Sequence, residues 1–80
     1  MDITVGTLVF SKAGRDKGEM FLTLSVENGY AYIADGDLRR VEKPKKKNKQ
    51  HLQLTNMFLT IDDITGNKAL YKILLDLKNR

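Results

Sequence analysis

The chain has no cysteine, one proline and one histidine among its 80 residues. Without cysteine, neither a disulfide nor a thiolate metal site can form. His51 has no second imidazole beside it, so no metal centre and no cofactor are expected. Apolar runs are short, and none approaches the roughly 20 residues that a helical membrane span needs. The opening MDITVGTLVF carries an acid at position 2 and no basic stretch ahead of an apolar core, unlike a secretory signal. A soluble, cytoplasmic protein is the expectation, with no membrane partner. A chain of this size buries only about 60% of its unfolded surface, which means one domain with a thin core.

Acids are nearly missing from one stretch. RRVEKPKKKNK, residues 39–49, holds seven of the fourteen basic residues (Arg39, Arg40, Lys43, Lys45, Lys46, Lys47 and Lys49) against a single acid, Glu42. The net charge of +4 therefore comes from one segment. Seven cations in eleven residues repel one another, and a polyanion is the partner that relieves the cost.

Around that stretch the sequence has the texture of a small β protein. Thr7 to Ser11 is β-branched and aromatic between Gly6 and Gly14. Met20 to Val26 alternates, with Phe21 apolar on the opposite face, so both sides of this strand need cover. Asn28-Gly29 is a strong two-residue hairpin signal, since both central positions of a type I′ turn need φ > 0. Tyr30 to Ala34 follows as a third strand. Asp35-Gly36-Asp37 turns the chain into an expected fourth strand, Leu38 to Lys43, which Pro44 ends for want of an amide proton. Residues 45–50 are expected to be an extended, solvated segment. HLQL, 51–54, suits either a last short strand or a helical turn. Strands at about ten-residue spacing joined by tight turns suggest a small antiparallel barrel.

From Ile61 the character changes. Ile64, Leu70, Ile73, Leu74 and Leu77 follow helical spacing, predicting a helix over about 67–78 with Asn67 as N-cap. The chain thus divides into a strand-rich unit, 1–56, and an extension, 57–80, packed on that unit or on a protein partner, including a second copy of the chain.

Three pieces in order carry a family resemblance: AGRDKG within VGTLVFSKAGRDKGEMF (5–21), DGDLRRV (35–41), and a lysine run ending in N-x-x-H-L (48–52). Over residues 4–55 they resemble the KOW-motif proteins, in particular the KOW-type proteins of the large ribosomal subunit and their small bacterial relatives. The resemblance implies an SH3-like antiparallel barrel, here with a C-terminal helix, that binds RNA, mainly ribosomal. It also implies that the loop carrying Lys12, Arg15 and Lys17 lies on the RNA.

Those implications sharpen the residue-level expectations. Gly14 and Gly18, like Gly29 and Gly36, are turn-makers able to take φ > 0. Lys12, Arg15 and Lys17, with the seven cations of 39–49, form the expected RNA-binding set, while Asp16 serves as a local acceptor holding the loop closed. Tyr30 and Tyr32 share a strand face and suit either packing or base stacking. Phe10 and Phe21 are expected in the core. No oriented base–nucleophile pair exists, so no catalysis and no small-molecule substrate are expected. The expected function is non-catalytic binding of ribosomal RNA in translation; the alternative is an adaptor whose barrel binds an acidic protein.

Overall fold

The computed structural model describes residues 2–79. It is mainly β. Five strands, β1 (Thr7–Ser11), β2 (Met20–Glu27), β3 (Tyr30–Ala34), β4 (Lys45–Asn48) and β5 (Leu52–Phe58), form one antiparallel sheet in the order β4-β3-β2-β1-β5. One helix, α1 (Asn67–Lys78), follows a short 3-10 turn at Ile61–Asp63. It is too short to cross a membrane, and no described helix is long and apolar enough to do so.

The β2–β3 hairpin closes through Asn28 and Gly29 at φ 39° and 85°, the left-handed pair that the Asn-Gly signal predicts. Glu27 pairs with Tyr30 across it.

The sheet cannot be flat. β4 and β5 are its two edges, and in a flat five-stranded sheet the edges would lie about 19 Å apart. Yet only Lys49–His51 separate them, wound as a 3-10 turn, which advances about 6 Å. The sheet must therefore curl until its edges approach, though it stays open, with β4 and β5 at opposite ends of the strand order and not paired with each other.

Curling gives the sheet two apolar faces, as Phe21 required. Ile3, Val9, Phe21, Ala31, Ile33 and Leu52 pack on the inner one. Leu8, Met20, Leu22 and Ala34 on the outer one meet Leu70 and Leu74 of α1, with Phe10 at the margin. Phe21 is fully enclosed and Phe10 half-buried.

Three sequence expectations are corrected. Residues 38–43 form a loop, not a fourth strand, so Arg39 and Arg40 do not alternate across a sheet. Their backbone groups find other partners: Asp35 Oδ1 accepts the Asp37 and Arg39 amides at 2.9 Å each, and the Val41 amide donates to Asn67 Oδ1 at 2.7 Å. Pro44 precedes a strand rather than ending one, and the lysine run itself is that strand, β4. A proline ahead of the first strand residue costs no ladder bond, and lysines suit an exposed sheet edge. Asn67 is the first residue of α1 rather than its cap, which is Gly66. Its amide instead latches the loop, donating to Glu42 Oε1 at 2.6 Å and to Oε2 at 2.9 Å. Residues 49–54 use both options left open, a 3-10 turn and then β5.

Two glycines separate strain from space. Gly18 (φ +89°) has nothing within 4 Å of an added Cβ. At Gly36 (φ +81°) a Cβ would collide with the Asn67 carbonyl and the Tyr71 amide of α1. Gly18→Ala should therefore cost about 1–2 kcal/mol from the left-handed backbone alone. Gly36→Ala should cost about 3 kcal/mol or more, because the helix must also move away. Urea unfolding of the two variants checks the order, and equal losses would remove the close approach of α1 to the turn.

Candidate nucleic-acid interface

The loop from Lys12 to Glu19 joins β1 to β2 and closes on itself. The Gly18 amide donates to the Ser11 carbonyl at 2.8 Å, and the Glu19 amide to the Asp16 carbonyl at 2.9 Å. Gly14 and Gly18 both have positive φ, as the reversal demands.

Asp16 does more than close this turn. Its side chain is 13% exposed and accepts from Ser11 Oγ at 2.7 Å, Lys47 Nζ at 2.9 Å and Lys45 Nζ at 3.2 Å. Burial pushes this carboxyl up, but hydrogen bonds from Ser11, Lys47 and Lys45 outweigh it and hold the group well below the usual carboxylate range. Lys47 sits opposite Ala31 on the inner face of β4 and is 8% exposed. Its ammonium also donates to the Ala13 carbonyl at 2.9 Å. A buried ammonium is tolerated only with such partners.

The expected basic set therefore divides. Lys47 is directed inward, and Lys45 is half-buried against Asp16. Lys46 points outward with its ammonium 4.5 Å from the Tyr30 ring centroid, a cation–π contact. Lys49 pairs with Asp2 at 3.3 Å, and Arg40 with Glu42 at 3.1 Å. Hydrogen bonds from Asn67 and Arg40 lower the Glu42 carboxyl below its ordinary value. Lys12, Arg15, Lys17, Arg39 and Lys43 are exposed and, among the described residues, form no ion pair.

The fold gathers part of this free set. Arg15 from the β1–β2 loop and Arg39 from the 35–44 loop, 24 residues apart in sequence, line one cleft of about 360 Å³ whose floor is Phe21. Arg39 continues with Arg40 and Lys43 into a neighbouring cleft of about 310 Å³. Leu38, 79% exposed, stands on the rim shared by both. The tyrosines lie elsewhere, on the outer face of β3. Tyr30 is exposed beneath Lys46, and Tyr32 is half-buried with its hydroxyl donating to Glu27 at 3.1 Å. His51 is exposed, and its backbone carbonyl accepts the Lys12 amide at 2.8 Å. Among the described residues, no three histidine, aspartate or glutamate side chains gather as a metal site.

Glu19 and Asp35, which also line the first cleft, were not singled out as site residues by sequence. Their nearness to two arginines follows only from the approach of two loops distant in sequence. No protein-family model matches the chain, and comparison with curated proteins gives no match.

The buried pair has a measurable signature. Because the Asp16 carboxyl is depressed in the folded state, its stabilisation is complete above the unfolded value of 3.8. It is lost as pH falls below about 4, since the unfolded chain binds the proton first. Asp16→Asn should cost about 3 kcal/mol at neutral pH by leaving Lys47 short of its charge partner, and should flatten the loss of stability between pH 5 and pH 2. Lys47→Gln should destabilise comparably, whereas Lys46→Gln should stay within about 0.5 kcal/mol. Urea midpoints across that pH range check all three, and an Asp16→Asn variant as acid-sensitive as the parent would remove the role given to the pair.

Proposed function

We propose that this chain is a non-catalytic RNA-binding module, an SH3-like barrel of the KOW type that acts on ribosomal RNA in the cytoplasm. The barrel reading is supported by the three-residue link between the sheet's two edges and by the motif order AGRDKG, DGDLRRV and N-x-x-H-L. The observation that carries the function is the meeting of Arg15 and Arg39, exposed and unpaired, in one cleft that runs on to Arg40 and Lys43.

Guanidinium and ammonium groups at loop tips reach phosphate oxygens without entering a groove, and arginine's planar fork suits them. The lysine run contributes less than its charge suggests. Lys47 and Lys45 are spent on Asp16, Lys46 lies over Tyr30 and Lys49 pairs with Asp2, so phosphate contact falls to the two loops.

Each phosphate contact releases condensed counterions, so log K falls with log salt by about 0.7–0.9 per contact. Arg39→Gln combined with Lys43→Gln should flatten that slope by about 1.5 units for a structured ribosomal RNA fragment, with folding intact. Lys46→Gln should change it by less than one contact. An acidic polypeptide of similar charge density, titrated in parallel, should bind more weakly than the RNA. Preference for the polypeptide would favour the adaptor reading, and an unchanged slope in the double variant would remove the two loops as the phosphate surface.

A further inference from the structure

We propose that the cleft between the β1–β2 loop and the 35–39 turn holds one unpaired nucleotide of the bound RNA, and that it favours guanine. This rests on the RNA-binding reading and adds to it a ligand class and a specificity.

The cleft is mixed where a phosphate surface should be uniform. Arg15 and Arg39 supply free positive charge, but the carboxylates of Glu19 and Asp35 line the same walls. Carboxylates beside a phosphate track repel it, so backbone contact alone leaves these two groups unfavourably placed. A nucleotide resolves the conflict, because it carries an anionic phosphate at one end and a neutral base with N–H donors at the other.

Both carboxylates have acceptor capacity left. Asp35 spends Oδ1 on the Asp37 and Arg39 amides, and no hydrogen bond is made to Oδ2 among the described residues. Glu19 gives Oε2 to Lys78 at 2.9 Å and keeps Oε1. Asp16 is different, since Ser11, Lys45 and Lys47 already occupy it.

The remaining walls suit a base. Leu38 is exposed on the rim, giving apolar surface against which a base can lie beside an arginine plane, with Phe21 closing the bottom of the cleft from within the core. A volume of about 360 Å³ lies within the usual range for ligand sites, roughly 300–1,000 Å³. Duplex bases turn their Watson–Crick edges inward, so only an unpaired nucleotide can present that edge here. Guanine offers two adjacent donors there, at N1 and N2, to a carboxylate acceptor. Uracil offers one ring N–H between two carbonyls, which the carboxylates disfavour.

The test compares a uridine pentamer with the same pentamer carrying a central guanosine, using the full chain and following its backbone amide resonances. The guanosine pentamer should bind about tenfold more tightly and shift the amides of Glu19, Phe21, Asp35 and Arg39. Glu19→Ala should reduce the preference for guanosine, by weakening the guanosine pentamer and strengthening the uridine pentamer as a repelling carboxylate is lost, with the thermal unfolding midpoint close to the parent's. Asp35→Asn, which retains an oxygen for the turn amides, should reduce it as well. If a structured RNA binds with the expected salt slope but the two pentamers bind equally, or the shifts fall outside the cleft, the nucleotide site is overturned and the phosphate surface stands. If neither pentamer nor structured RNA binds, both readings fall.

Discussion

A lysine facing the inside of a curled sheet needs a carboxylate, and Asp16 answers Lys47. Much of the geometry around the candidate interface follows from that pairing. Lys47 lies on β4, the edge strand farthest from β5 in the sheet order, while Asp16 lies on the loop after β1, the neighbour of the opposite edge. Bringing them to 2.9 Å holds the edge of the sheet over the loop, in keeping with the short link to β5. It also fixes the conformation of the loop from which Arg15 and Lys17 emerge.

The pair is better understood as a register device than as a large source of stability. Desolvating two charges offsets much of their attraction, so such pairs often do no better than apolar side chains of similar volume. Register is another matter. A slip of β4 by one residue would turn Lys46 or Asn48 inward and send Lys47 out, exchanging the two faces of the strand. In a run of three lysines, which local propensity cannot tell apart, a single carboxylate at the right height puts Lys45 and Lys47, rather than Lys46, on the inner face. The same choice leaves Lys46 outward over Tyr30.

The C-terminal extension works on the basic segment from the other side. Leu70 and Leu74 cover the outer apolar face of the sheet. Gly36 lets the first turn of α1 approach the backbone of the 35–44 loop, and Asn67 receives the Val41 amide and holds Glu42. Arg39 and Lys43 are thus presented from a loop held at both ends, rather than from a free basic tail. Electrostatics and packing meet here: the helix that completes the core also orders the residues with the least compensated charge.

Several elements were legible in the sequence because their causes are local. Asn28-Gly29 makes its turn from two residues' own conformational preferences, and the period of Leu70, Leu74 and Leu77 marks α1 without reference to anything it touches. The apolar Phe21 among outward positions already required cover on both faces of β2. What the sequence could not assign was the segment from Leu38 to Asn48. LRRVEK has as good a strand pattern as KKKN, and only tertiary partners separate them. Asp35 and Asn67 take up the backbone groups of the first stretch, and Asp16 makes the second tolerable inside. The division of the basic run into a buried lysine, partnered cations and free ones has the same origin. Charge count is a property of the chain, but whether a charge is available depends on what stands within 3–4 Å of it, and for the buried Lys47 that is a carboxylate 31 positions away.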